Sequence, residues 1–84
     1  MMMIPPEEQE RLFAEHLPAA WDRLCATLLE ERGQIQELAL DRLRNGVADY
    51  GDAVWHATTG AIRREILEEL ADALVYSAAL DRSF

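Results

Sequence analysis

The sequence predicts an all-α fold, a small helical bundle of three to four main helices. Alanine, leucine, glutamate and arginine dominate the 84 residues, and all four favour helices. Only four glycines and three prolines interrupt them. Apolar residues recur at spacings of three and four, as on one face of a helix. Half of the residues are hydrophobic, so the composition is that of a folded chain.

The length predicts a single helical domain over residues 1–84. A chain of this size buries only about 60–65 % of the surface that its unfolded form exposes. The core is therefore expected to be thin. Burial between copies of the chain would add to it, so we expect a homo-oligomer.

Charge and composition argue against two classes of partner. The formal net charge is −8, and no surplus of positive charge is available for a nucleic-acid-binding face. The start "MMMIPPEEQE" has no basic segment, and no stretch approaches the ~20 apolar residues of a membrane span.

The single cysteine, Cys25, permits no internal disulfide. We therefore expect a cytoplasmic protein in which Cys25 is buried and structural.

Prolines suggest where the first two helices begin. Pro5 and Pro6, followed by acids, are typical of a helix start, and the narrow apolar side that follows predicts a short helix over 6–16. Residues 1–16 are then a loosely packed N-terminal segment. Pro18 is expected to begin the second helix.

Glycines suggest the next boundaries. Gly33 either separates the second and third helices or lies within one bent helix. The "RNG" at 44–46 predicts a helix end, since Asn45 and Gly46 tolerate left-handed geometry. The following segment shows little periodicity, with a break expected at Gly51 and a cap from Asp52. Its Tyr50 is expected to pack rather than to stack on a base.

The final helix is predicted over 60–81, capped by Thr58 or Thr59. It combines a broad apolar face with four carboxylates that fall within about 100° of the helix circumference. These four residues, here called the acidic band, are Glu65, Glu68, Glu69 and Asp72. Their like-charge contacts each cost a few tenths of a kcal/mol, which a solvated face would tolerate.

Two interpretations of the acidic band follow. It is either a solvated face or a Mg²⁺ site, because Mg²⁺ takes oxygen ligands from a few carboxylates together with substrate phosphates. Glu69 and Asp72 lie one turn apart and would share an ion, with Glu65 and Glu68 as further ligands.

The segment "EELADALVY" resembles the second metal-binding motif of the MazG-like all-α nucleoside triphosphate pyrophosphohydrolases. The resemblance covers about residues 42–80. Glu69 and Asp72 match the E-x-x-D positions, and Glu68 matches the preceding acid. It implies Mg²⁺- or Mn²⁺-dependent hydrolysis of a nucleotide to the monophosphate and pyrophosphate, with Glu69 and Asp72 as the catalytic residues.

The chain departs from this family in the first acidic motif. The nearest match to E-E-x-x-E is "EERGQ", in which Glu30 and Glu31 would be metal ligands and Gln34 replaces the third acid. An amide is a poorer Mg²⁺ ligand than a carboxylate. Glu37 and Asp41 form another acidic pair one turn further on and would substitute for the missing ligand.

The alternative function is a non-catalytic acidic interaction module, phage-encoded by one hypothesis, that binds a basic protein partner. Mimicry of DNA charge is a third option. The two main functions predict different geometries. The enzyme requires Glu69 and Asp72 to meet acids of another helix in a concave site. The module requires an exposed, convex acidic surface beside an apolar patch.

The remaining singled-out residues point to ordinary roles. His16 and His56 are isolated from each other and from cysteine, so neither predicts a zinc site. Trp21 and Trp55 are expected in the core or in an interface.

Overall fold

A computed structural model describes residues 3–84, excluding the side chains of 47–50. Within this part the chain forms helices only, so the predicted all-α class is confirmed. The four helices are α1 (Pro6–Glu30), α2 (Arg32–Tyr50), α3 (Ala53–His56) and α4 (Thr59–Arg82).

α1 begins where the prolines predict. Pro6 occupies the first turn, where a missing N–H costs nothing, and Glu7 and Glu8 lie at the positive end of the helix dipole. The Gln9 N–H donates to the Pro5 carbonyl oxygen at 3.0 Å, and the Gln9 side-chain amide donates to the Ile4 carbonyl oxygen at 2.7 Å.

The predicted break before Pro18 is wrong, since α1 runs through this proline as one helix of 25 residues. Proline removes the hydrogen bond to the carbonyl of Ala14 and crowds that carbonyl. The helix persists because the segments on both sides of Pro18 pack on α4. Residues 6–16 are therefore the first part of a long helix and not a separate short one.

The main break between α1 and α2 lies at Glu31, whose backbone leaves helical geometry at φ −109° and ψ 26°. Gly33 falls in the first turn of α2. The predicted end at Asn45 and Gly46 is wrong, because the helix continues to Tyr50. The chain instead turns at Gly51, where φ is +59°, a conformation that glycine adopts without steric cost. The expected break at Gly51 is thus confirmed.

The start of α4 follows the sequence closely. Thr58 is the N-cap, and its hydroxyl oxygen accepts a hydrogen bond from the Ala61 N–H at 3.2 Å. The bounds Thr59–Arg82 agree with the predicted 60–81. Asp52 occupies the N-cap position of α3, but its side chain makes no capping hydrogen bond. That carboxylate lies 2.8 Å from His56 Nε2 instead.

The core of the described structure is formed where α1 packs on the C-terminal third of α4. Its buried side chains are small or medium in size: Ala20 and Leu24 from α1, Ser77 and Ala78 from α4. Small residues let the two helix backbones approach closely. The buried Ser77 hydroxyl donates to the Ala73 carbonyl oxygen at 2.8 Å, which satisfies it within the helix.

Much of the rest of the described structure is exposed to solvent. Residues 32–45 of α2 and residues 59–72 of α4 are all exposed. The accessible surface is 7521 Å², whereas a folded monomer of 9.5 kDa is expected to expose about 5000 Å². The radius of gyration is 15.9 Å, compared with about 12 Å for a compact chain of this length. Among the described helices, none has a run both long and apolar enough to cross a membrane.

Candidate functional site

The four carboxylates of the acidic band all lie within the exposed residues 59–72 of α4. Glu68 accepts a hydrogen bond from Arg64 Nε at 2.9 Å, and this pair one turn apart offsets part of the repulsion. Because both partners are largely exposed, the ion pair itself stabilises the helix only slightly.

α2, α3 and α4 enclose a groove of about 940 Å³, here called the open groove. Its walls are mostly apolar and include Leu43 from α2 and Ile62, Ile66 and Leu70 from α4. Of the described residues that line the groove, three are charged. Arg42 lines the α2 wall, and Glu65 and Glu69 line the α4 wall.

Only part of the acidic band borders the open groove. Glu65 and Glu69 line the open groove, whereas Glu68 and Asp72 do not. At 100° per residue, Val75 and Tyr76 lie within about 100° of Glu68 and Asp72 around the helix, one to two turns further along. Val75 is 55 % exposed and Tyr76 76 % exposed, so an apolar patch adjoins these acids. These four residues are here called the outer face of α4.

The predicted first acidic motif lies elsewhere. Glu30 ends α1 and Glu31 is its C-cap, and both side chains are exposed. Gln34 and the pair formed by Glu37 and Asp41 are exposed on α2. Within the described residues, no three His, Cys, Asp or Glu side chains come together as a metal site would require. The predicted Mg²⁺ ligands stay a prediction for these positions.

A cluster of three polar side chains joins α1 to α4 and has no counterpart in the sequence patterns. Asp81 Oδ1 accepts a hydrogen bond from Arg23 Nε at 2.7 Å. Asp81 Oδ2 accepts another from His16 Nδ1 at 2.8 Å. The Arg23 guanidinium also lies over the Phe84 ring, 4.4 Å from its centroid. His16 therefore has a structural role that its isolation in the sequence did not suggest.

These contacts change the acidity of Asp81. The hydrogen bond from His16 and then the one from Arg23 favour the carboxylate form and lower the pKa of Asp81 below its usual value of 3.8. The partners are 65 and 58 residues away along the chain. No local spacing signal connects residues so far apart, so only the packing of α1 on α4 identifies them.

Other expectations about single residues need correction. Cys25 is exposed, because α1 contacts α4 through Ala20 and Leu24, and the next residue points about 100° away. Trp21 and Trp55 are 54 % and 73 % exposed, so neither belongs to the core of the described structure, and their place in an interface stays a prediction. The side chain of Tyr50, which was expected to pack, lies outside the described residues.

Compared with protein-family models, curated proteins and solved structures, the chain shows no match. The resemblance to the MazG-like family therefore stays a prediction from residues 42–80. Support for a function therefore comes from the geometry of the described residues.

Proposed function

We propose that this protein is an acidic helical interaction module that binds a basic protein partner through the outer face of α4. One observation carries the proposal: Glu68 and Asp72 stand exposed beside exposed Val75 and Tyr76. Carboxylates would steer a basic partner to this surface, and the apolar side chains would contribute the burial that holds it. Tyrosine suits such a position because it offers a large apolar ring together with a polar hydroxyl.

The same proposal includes a homo-oligomer. The chain exposes about 2500 Å² more surface than a folded monomer of its mass is expected to expose. Apolar side chains account for much of this, including Leu38, Leu43, Ile66 and Leu70. An uncovered surface of this kind is typical of a protomer whose core is completed by another chain.

A pair of charge-reversal variants tests the module. Glu68→Arg/Asp72→Arg inverts the outer face, and Glu37→Arg/Asp41→Arg makes the same change in net charge on α2, away from the open groove. Cross-linking in cells followed by mass spectrometry would measure the partners bound. We expect a basic protein captured by wild type and by the α2 variant, and lost from the outer-face variant. Equal capture by all three proteins would contradict a role for the outer face.

A second candidate is Mg²⁺-dependent nucleoside triphosphate pyrophosphohydrolysis, the function that the MazG-like resemblance implies. Its support is that Glu65 and Glu69 of α4 and Arg42 of α2 line the same open groove. Oxygen ligands suit Mg²⁺, and an arginine suits a phosphate. Within the described residues of one chain, however, the acids do not gather in threes. A second chain or the nucleotide itself would have to complete the ligand set.

Asp72→Asn separates the two candidates. The module predicts no increase in melting temperature with Mg²⁺ or Mn²⁺, and no pyrophosphate release from a panel of nucleoside triphosphates. It also predicts that Asp72→Asn folds normally or is more stable by a few tenths of a kcal/mol, because a like charge is removed. A metal-dependent stabilisation of wild type that the variant loses would instead make the acidic band a cation site, and pyrophosphate release lost in the variant would support the enzyme.

A further inference from the structure

The open groove combines an apolar lining with charges of both signs. Among the described lining residues, the cation is Arg42 on the α2 wall, and the anions are Glu65 and Glu69 on the α4 wall. Among the described residues, none of the three has an ion-pair partner within 4 Å. A partner that fits this groove must therefore offer an anion opposite α2 and a cation opposite α4.

A second copy of the chain offers this arrangement when it is rotated by a two-fold axis. In an isologous interface, residue i of one subunit contacts residue j of the other, and j contacts i. Arg42 of each copy would then face Glu65 and Glu69 of its partner. A uniformly basic partner would suit the α4 wall but would oppose Arg42. The charges therefore favour self-association over a basic partner at this groove.

The exposed surface area also agrees with a second copy of the chain as the occupant of the open groove. An excess of about 2500 Å² per copy corresponds to about 5000 Å² hidden in a dimer, which falls within the range of permanent interfaces. The uncovered regions are also the right shape. In the described structure, α2 contributes Arg42 and Leu43 to the groove and α4 contributes residues within 61–70, and these two helical walls are exposed. Two such pairs, brought face to face, make a four-helix arrangement with a shared core.

We propose that the open groove is a homodimer interface, in which α2 and the N-terminal half of α4 from two copies form a four-helix bundle. Reciprocal ion pairs from Arg42 to Glu65 and Glu69 of the partner set its register. This proposal rests on the homo-oligomer in the proposed function, and it specifies the face and the contacts. It leaves the outer face of α4 free for another protein.

The reciprocity allows a decisive charge-exchange experiment. Arg42→Glu places like negative charges across both halves of a homodimer, and Glu65→Arg/Glu69→Arg places like positive charges there. Each variant alone should dimerise on the order of a hundredfold more weakly than wild type. In a mixture of the two, every pair across the interface is again of opposite sign, so a heterodimer should form.

Two controls match these charge changes. Arg44→Glu lies on the side of α2 turned away from the groove, and Glu37→Arg/Asp41→Arg changes the charge of α2 as much as the double variant changes α4. Both should dimerise like wild type. Sedimentation velocity over about a hundredfold range of concentration measures dimerisation, and native mass spectrometry identifies the heterodimer. Circular dichroism checks folding; a variant that unfolds alone should regain helix when mixed with its complement.

The outcomes distinguish a failure of the groove pairing from a failure of the homo-oligomer itself. Wild type at twice the 9.5 kDa chain mass, weakened single variants and a restored heterodimer support the proposal. A wild-type oligomer that all charge variants leave intact would place the interface on another face, overturning the groove pairing while the homo-oligomer stands. Wild type that sediments as a monomer throughout would overturn both. Loss of binding to a basic partner is measured separately, by the outer-face variant.

Discussion

At the scale of single residues, the contact between Asp81, His16 and Arg23 is the strongest polar link in the described core. Each oxygen of Asp81 accepts one hydrogen bond, and both donors come from α1. The side chain of Asp81 is only 19 % exposed, so water screens these bonds less than it screens the ion pairs elsewhere on the helices. The cluster therefore fixes the C-terminal end of α4 against α1.

Asp81→Asn should destabilise the fold at neutral pH, because it removes the charge that both donors recognise. The lowered pKa of Asp81 gives the pH dependence its sign. A carboxyl with a depressed pKa stabilises the fold above its unfolded pKa of about 3.9, and that contribution is lost as pH falls through the folded value. The difference in melting temperature between wild type and variant should therefore shrink as pH falls below about 4.

Asp22→Asn provides the control for this prediction. Asp22 is exposed on the same helix as the two donors, and among the described residues it has no ion-pair partner within 4 Å. We expect a melting temperature close to that of wild type at each pH. A pH-independent difference for Asp81→Asn would contradict the assignment of the acid-sensitive component to this cluster.

At the scale of helices, Pro18 lies in the interior of α1 and should weaken it. Alanine at this position restores a backbone donor to the Ala14 carbonyl and removes the steric conflict with it. Proline also restricts the unfolded chain, which recovers about 0.4–1 kcal/mol. We therefore expect Pro18→Ala to raise the free energy of unfolding by about 1–3 kcal/mol, measured by urea denaturation.

Pro6→Ala is the matched substitution at the start of the same helix. A backbone N–H at position 6 would have no acceptor within the helix, because it lies in the first turn. The missing N–H of Pro6 therefore costs nothing. The free energy of unfolding should change by no more than about 0.5 kcal/mol. If Pro18→Ala proved as neutral as Pro6→Ala, Pro18 would not be a source of strain in α1.

The same element scale shows what could be predicted from the sequence. Helix ends set by a local hydrogen bond, such as the Thr58 cap of α4, were predicted within two residues. Pro18 and Gly46 were expected to end helices, yet both lie inside them. Their local costs of about 3 and 1 kcal/mol compete with the hydrogen bonds and contacts of the residues on either side. A helix-breaking residue indicates how much free energy it costs to continue a helix. It does not indicate how much stability the helix gains by packing on other helices.

At the scale of the whole molecule, periodicity predicted which residues form one apolar helix face. It did not predict which other helix covers that face. The broad apolar face of α4 was evident, whereas the structure divides it into a covered C-terminal third and an open N-terminal half. The acids were likewise expected as one band, and the position of the groove splits them into two pairs. Both divisions depend on where α1 and α2 meet α4, which is a tertiary property.

An open protomer of this kind should gain much of its stability from association, so its melting temperature should depend on concentration. Binding that stabilises only the folded state adds free energy by mass action, about 1.4 kcal/mol for each tenfold change. With an unfolding entropy of about 2.1 cal/mol/K per residue over two chains, this corresponds to about 4 °C for each tenfold increase in protein.

Scanning calorimetry of wild type over a range of concentrations would measure this slope, with Arg44→Glu as the control that retains it. Arg42→Glu should melt at a lower temperature, and its slope should disappear where it is monomeric. A wild-type melting temperature that does not change with concentration would mean that α1 and the C-terminal third of α4 hold the chain together unaided. The open groove would then be an exposed surface of a stable monomer, and the excess area would need no second copy.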